Sequence, residues 1–191
     1  MKVGEKSVKT EPIGSLRRTH TCDELRSEHD GQKVTLMGWV HRRRGLGGLI
    51  FIDLRDRYGM NQVVVDPAQG EGFEKAERVR SEFVLAVIGR VRVRPGETRN
   101  ANINTGDVEL VGEEIKILNP SKVAPVQVSD YQNVDEALRL QYRYVDLRRP
   151  SMTHNLVLRH RIAKAVRDYL DSQNFLEIET PTLVRSTPEG A

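Results

Sequence analysis

Phe51 stands alone among the aromatics of the segment HRRRGLGGLIFIDLRDR, which runs from His41 to Arg57. Arginines crowd it: Arg42, Arg43 and Arg44 precede it, and Arg55 follows. Elsewhere, Gln62 and Glu109 fall in short apolar runs where polar side chains are sparse. An outward aromatic ring can stack on an unstacked base. An amide and a carboxylate can read base edges, and arginines can bind phosphate. The same residues also admit a plainer reading. Phe51 could pack under a loop or against another domain, and the arginines could form a solvated strand end. Gly45, Gly47 and Gly48 lack phosphate-loop spacing and a following helix, so an ordinary turn serves equally well.

Side-chain alternation decides which of these residues share a face. Across Leu49 to Asp56, Ile50, Ile52 and Leu54 point one way, and Phe51, Asp53 and Arg55 the other. The aliphatic side reads as barrel core. By the same test Val108 and Leu110 face inward, and Asp107 and Glu109 face outward. Gln62 sits at the start of a valine run.

The elements that must position these groups are mainly β. VTLMGWV (34–40), LIFIDLRD (49–56), NQVVVDP (61–67), FVLAVIGRVRVR (83–94) and DVELVGEEIKIL (107–118) read as five strands. EGFEKAERVRSE (71–82) reads as a helix, with Phe73, Ala76, Val79 and Arg80 at helical spacing. Gly89 and Gly112 interrupt long strands, as bulges or sharp bends do. Five strands with one helix between the third and fourth fit the OB-fold, a five-stranded Greek-key barrel. An SH3-like barrel is the rival, and the placed helix favours OB.

Residues 1–16 are polar and aperiodic and read as a flexible extension. Residues 17–119 hold the barrel. Residues 120–150 carry Pro120, Pro125 and Pro150 and read as a hinge with one short helix, NVDEALRL, started by Asn133 or Ser129. After Pro150 a helix is expected, with Leu158, Ile162, Ala165, Val166, Tyr169 and Leu170 on one face, ending near Asn174. FLEIETPTLV reads as a strand. Residues 151–191 look like a second, α+β domain begun and not finished.

Composition bounds the function class. The 191 residues are 38% hydrophobic and 30% charged, with a net charge of +3, which permits a polyanionic partner without demanding one. One cysteine, Cys22, excludes an internal disulfide and any multi-cysteine zinc site, and it reads as a small buried hydrophobe. His20, His29, His41, His154 and His160 have no paired spacing for a metal. No signal peptide or membrane span is evident, so a cytoplasmic protein is expected. No nucleophile–base arrangement stands out in residues 1–150.

Four pieces in order carry a resemblance: GWVHRRRGLGGLIFIDLRDRYGMNQVVVDP, YRYVDLRRP, FLEIETPTL and STPEGA. Together they resemble bacterial-type aspartyl-tRNA synthetases, of class II, over about residues 17 to 191. The resemblance implies that the barrel binds the tRNA anticodon loop. It implies that Phe51 stacks on a base, that Gln62 and Glu109 read anticodon bases, and that Arg42 and Arg44 contact the loop or its phosphates. The resemblance also implies that Leu46 and Glu97 lie in the two loops that, in this family, influence whether only the aspartate tRNA or also the asparagine tRNA is accepted. Residues 151–191 resemble the start of the catalytic domain, with Pro181 as the proline of the first class II motif, which builds a homodimer interface. STPEGA resembles the mobile loop over the amino-acid pocket, where Glu189 would contact the ammonium group of aspartate. The family's full enzyme uses ATP and Mg²⁺ to activate aspartate and then charges tRNA. Its later motifs are not in this sequence, so neither catalytic residues nor bound cofactors are expected here, and this chain alone is expected to be inactive. Gly45, Asp23 and Asn174 depart from the family pattern, and Asn174 keeps a helix stop because asparagine tolerates a left-handed cap. The alternative is a freestanding OB module for RNA or single-stranded DNA.

Overall fold

The computed structural model describes residues 8–131 and 133–183. The chain divides into two compact units, Met1–Ala124 and Pro125–Ala191.

The first unit is a closed five-stranded barrel: β1 (Lys33–Leu46), β2 (Leu49–Arg55), β3 (Met60–Val65), β4 (Val84–Val93) and β5 (Val108–Asn119). Around the barrel the order is β1-β2-β3-β5-β4, antiparallel except for a parallel β3–β5 contact. That is the expected OB topology. Val34, Leu36 and Val40 of β1 are buried together with Ile50, Ile52 and Leu54 of β2. Val63, Val65, Leu85, Val87, Val108 and Leu110 complete the same core. Alternation placed every one of the aliphatics it assigned inward.

β1 runs six residues past the expected 34–40. It reaches Leu46, and the chain turns back through Gly47 and Gly48 alone, because Leu46 pairs with Leu49. Both glycines have positive φ, 59° and 79°. A two-residue hairpin turn that matches strand twist needs this conformation, and glycine adopts it without strain. The β1–β2 register slips between Val40 and Arg42, leaving His41 as a one-residue bulge. Before the slip the even-numbered residues face the core. After it Arg42 lies opposite Asp53 and Arg44 opposite Phe51, so the even residues face out.

The expected break at Gly89 is also present, as a register shift between Ile88 and Gly89. A Cβ on Gly89 would lie 2.0 Å from the Val111 carbonyl oxygen. Only glycine lets β4 and β5 approach this closely.

The helix between β3 and β4, α1 (Glu71–Arg78), is shorter than expected. It buries Gly72 and Ala76, with Val79 just beyond its end and Phe73 half-buried. Arg80 is exposed and is not part of the apolar face. The expected flexible extension needs correction within its described part. The Glu11 N–H donates to Ile117 O (2.9 Å), and its carboxylate accepts from Ile117 N (3.1 Å) and Lys75 (2.8 Å). These bonds strap the segment to β5 and α1.

The second unit contains α2 (Glu136–Gln141), α3 (Arg143–Asp146) and α4 (Pro150–Ser172). The helical part of the expected hinge therefore falls in this unit. Asp135 caps α2 by accepting from the N–H groups of Ala137 and Leu138, and neither Asn133 nor Ser129 does so. Asp146 is fully buried among Arg139 (2.9 Å), Arg143 (2.6 Å) and Arg149 (3.6 Å). Pro150 opens α4 at a position where its missing N–H costs nothing. Asn174, at φ 64°, closes it. The Phe175 N–H bonds back to Leu170 O and the Asn174 N–H to Asp171 O, the two bonds of a Schellman cap. Leu158, Ile162, Val166, Tyr169 and Leu170 of α4 are all exposed. FLEIETPTLV is not a strand over its described residues, 175–183, which carry no ladder bonds and are exposed. Its β-branched composition suits a strand, but no other strand of this unit lies among the described residues to pair with it.

Candidate nucleic-acid interface

The barrel brings Arg42, Arg44, Phe51, Gln62 and Glu109 to one outer face. Each reaches it by register. Arg42 pairs with Asp53, and Asp53 with Gln62 on the next strand. Arg44 pairs with Phe51, and Phe51 with Val64. Glu109 on β5 pairs with Arg92 on β4. In antiparallel pairs the opposed side chains lie on the same side of the sheet, and a hydrogen bond from Gln62 to Glu109 spans the parallel β3–β5 contact. A polar row of Arg42, Asp53, Gln62, Glu109 and Arg92 therefore crosses all five strands, with Arg44 and Phe51 in the next pair.

Hydrogen bonds join that row. Arg44 Nη2 donates to both Asp53 carboxylate oxygens, at 2.9 and 3.2 Å, and approaches Gln62 Oε1 at 3.5 Å. Gln62 Nε2 donates to Glu109 Oε2 at 3.3 Å. Arg92 donates twice to Glu109 Oε1, from Nη2 at 2.6 Å and from Nε at 3.0 Å. Arg94 Nε lies 3.8 Å from Glu109 Oε2. Phe51 sits half-buried beside this row, between Arg44 and Val64 on the neighbouring strands. Arg43 has a separate job. On the opposite side of β1, it donates from Nε to Ala76 O (2.9 Å) and ties the hairpin arm to α1.

Glu109 corrects an expectation. Alternation put it outward with Asp107, and it does leave the barrel on that side. Yet it is only 7% exposed, because Arg92 and Arg94 cover it. Asp107 is exposed and pairs with Arg99 at 3.4 Å. Sequence reasoning missed Asp53, Arg92 and Arg94 as members of the site. The alternation in GRVRVR, with valine inward and arginine outward, was the available signal for the two arginines. Arg94 is 3% exposed, and burial pushes its guanidinium below the ordinary arginine value while Glu109 and Asp53 pull it back up. Burial, then the Arg55 charge, likewise lowers His41 at the bulge.

Leu46 and Glu97 are not members of this row. Leu46, 74% exposed, is at the hairpin tip. Glu97 is exposed in a 3₁₀ turn, Gly96–Thr98, in the loop after β4. Pro181, in the second unit, is exposed and outside regular structure. Glu189 and the STPEGA segment lie outside the described residues. Among the described residues no group of three or more His, Cys, Asp or Glu side chains converges as a metal site. No helix among them is long and apolar enough to cross a membrane.

Comparison with known proteins agrees with this geometry. Residues 34–118 match the OB-fold nucleic acid binding domain family, and residues 135–191 match the class II tRNA synthetases (D, K and N). An aspartate–tRNA(Asp/Asn) ligase of Moorella thermoacetica is 57% identical over 184 residues, covering 96% of this chain and 31% of the relative. An aspartate–tRNA ligase of Ruminiclostridium cellulolyticum is 51% identical over 181 residues, covering 95% and 30%.

The chain is similar to aspartate–tRNA ligases along nearly its whole length.

It spans about three-tenths of the length of the curated relatives it matches. Among solved structures, asparaginyl-tRNA synthetase from Pyrococcus horikoshii superposes with a TM-score of 0.75 at 27% identity, over 88% of this chain and 37% of that one. Aspartyl tRNA synthetase from Entamoeba histolytica superposes at 0.79 with 22% identity, over 91% and 41%, a likeness of fold. The synthetase match beyond the barrel does not favour a freestanding OB module, which has no use for residues 135–191.

Proposed function

We propose that the barrel reads the anticodon loop of an aspartate tRNA. Phe51 stacks on one base, Gln62 donates and accepts and Glu109 accepts at base edges, and Arg42 and Arg44 hold the loop's phosphates. The observation that supports this reading is the hydrogen-bonded pair Gln62–Glu109 on the same outer face of the barrel as Phe51. Leu46 at the hairpin tip and Glu97 in the loop after β4, both exposed, tune whether the asparagine tRNA is also accepted.

The whole enzyme then activates aspartate and transfers it to tRNA as a cytoplasmic homodimer, with Pro181 in the dimer-forming motif and Glu189 against the substrate ammonium group. ATP and Mg²⁺ supply the activation chemistry in that whole enzyme. Among the described residues no group of three or more His, Cys, Asp or Glu side chains converges to hold the metal.

The test is binding of the chain to two labelled anticodon stem-loops, one with the aspartate anticodon and one with a changed middle base. Tighter binding of the first supports the reading. Equal affinity for both would sink it.

A further inference from the structure

Two arginines serve Glu109, and their surroundings differ sharply. Arg92 makes the short bonds to Glu109 Oε1, yet half of its side chain, 54%, is open to solvent. Arg94 has a side chain only 3% exposed and stands 3.8 Å from Glu109 Oε2. Backbone oxygens pin it. Its Nε donates to Val108 O at 2.9 Å, and its Nη1 reaches Thr98 O at 3.5 Å. Its own N–H donates to Asp107 O at 2.8 Å. Its Nη2 is buried with no hydrogen-bond partner among the described residues. Such a group is costly to bury and is retained only where the fold around it is firm.

A base edge that approaches Glu109 must compete with whatever holds its carboxylate. An exposed, flexible arginine can swing away and take a phosphate instead. A guanidinium wedged between two backbone carbonyls cannot. We infer that Arg94 is the fixed counter-ion and positioning residue for Glu109, and that Arg92 is the displaceable one that exchanges the carboxylate for RNA phosphate. This rests on the anticodon-reading function proposed above. Arg94 also ties down both ends of the loop between β4 and β5. Thr98 sits beside Glu97, and Asp107 and Val108 lead straight into Glu109. One side chain thus holds the base-reading carboxylate and the loop that carries Glu97 in a fixed relation.

Lysine at position 94 keeps the charge and loses the fork that reaches Val108 O, Thr98 O and Glu109 together. For Arg94→Lys the affinity ratio between the aspartate stem-loop and the changed-base stem-loop should fall roughly tenfold, the scale of a lost base-reading pair. Binding of the changed-base loop should stay within about twofold. Arg92→Ala should weaken both loops equally and flatten the salt dependence by roughly one phosphate contact. A merely structural Arg94 would lower the melting temperature and the affinity for both loops together, leaving the ratio intact. That result, with the unaltered chain still discriminating, overturns the inference and spares the reading beneath it. Failure of the unaltered chain to discriminate overturns both. Should Arg94→Lys not fold, the arginine Nε–H NMR signals of the unaltered chain decide. On titration with the aspartate stem-loop the Arg92 signal should shift and the Arg94 signal stay protected. Equal shifts of both signals would overturn the exchange.

Discussion

Replacing Phe51 with alanine separates a recognition role from a packing role. Phe51 and Ile52 are neighbours on β2, but they face opposite ways: Ile52 is fully buried in the barrel, and Phe51 is half-buried on the outer face beside Arg44 and Val64. Removing a core aliphatic such as Ile52 costs about 2–5 kcal/mol of stability, from lost transfer energy plus the cavity left behind. Phe51 leaves no closed cavity, so Phe51→Ala should cost only about 1 kcal/mol, the share of its surface already shielded from water. Its binding cost should be larger. Base–aromatic stacking contributes about 1–3 kcal/mol, which at about 1.4 kcal/mol per decade weakens the aspartate stem-loop roughly 5- to 150-fold. Fluorescence anisotropy with a labelled stem-loop measures the second quantity, and urea unfolding followed by circular dichroism measures the first. Ile52→Ala serves as the packing control in both. Affinity unchanged within twofold, or a stability loss equal to that of Ile52→Ala, would refute the assignment and put Phe51 in the fold rather than the site.

Other outcomes follow from features elsewhere in the chain. Gly89→Ala should destabilise the barrel by roughly 2 kcal/mol or more in urea unfolding, because the added Cβ meets the Val111 carbonyl at 2.0 Å; an unchanged midpoint would show that the strands part freely. Burial, then Asp56, pushes the Cys22 thiol up, so an aromatic disulfide reagent at pH 8 should leave the native chain untouched and react only after unfolding. Asp146 is held below the usual carboxylate range, first by its hydrogen bond from Arg139, with burial opposing and the charges of Arg139, Arg143 and Arg149 assisting. Its folded value lies below its unfolded one, so this stability is complete above pH of about 4 and is lost as pH falls through the folded value. Asp146→Asn should cost roughly 2–3 kcal/mol at neutral pH and remove that acid-dependent portion, read by far-ultraviolet circular dichroism across an acid titration of both chains; coincident acid titration curves would contradict it.

The inward and outward sets of β2 were legible because a half-buried strand writes its two faces at a period of two. Nothing equally local marks the bulge at His41. Its cause lies in register against two neighbours, β2 on one side and β4 on the other, and histidine carries no backbone signature for it. Glu109 shows the same limit. Its direction followed from alternation, but its cover comes from Arg92 and Arg94 on a different strand, and cross-strand pairing cannot be read along one strand. The missing strand in FLEIETPTLV shows the converse. Propensity names residues that suit a sheet, and ladder bonds require a partner that propensity does not supply. The caps were nearer the surface of the sequence: Asn174 ends α4 as its chemistry allows, whereas the start of α2 had several polar candidates and Asp135, closest to the helix, took the role.

The His41 bulge and the two-glycine turn bracket a short arm of hairpin. Below the arm Leu54 is in the core, and within the arm Ile52 and Ile50, opposite Arg43 and Gly45, still lock the register. Beyond Ile50 only Leu46, Leu49 and the turn remain, and none of them is buried. A change at the tip therefore alters what the arm touches without turning Arg44 or Phe51 to another face. Under the proposed function, the choice of tRNA and the reading of its bases are separable in heredity: substitutions at Leu46 can drift or be selected while the Phe51 ring and the Glu109 carboxylate keep their places.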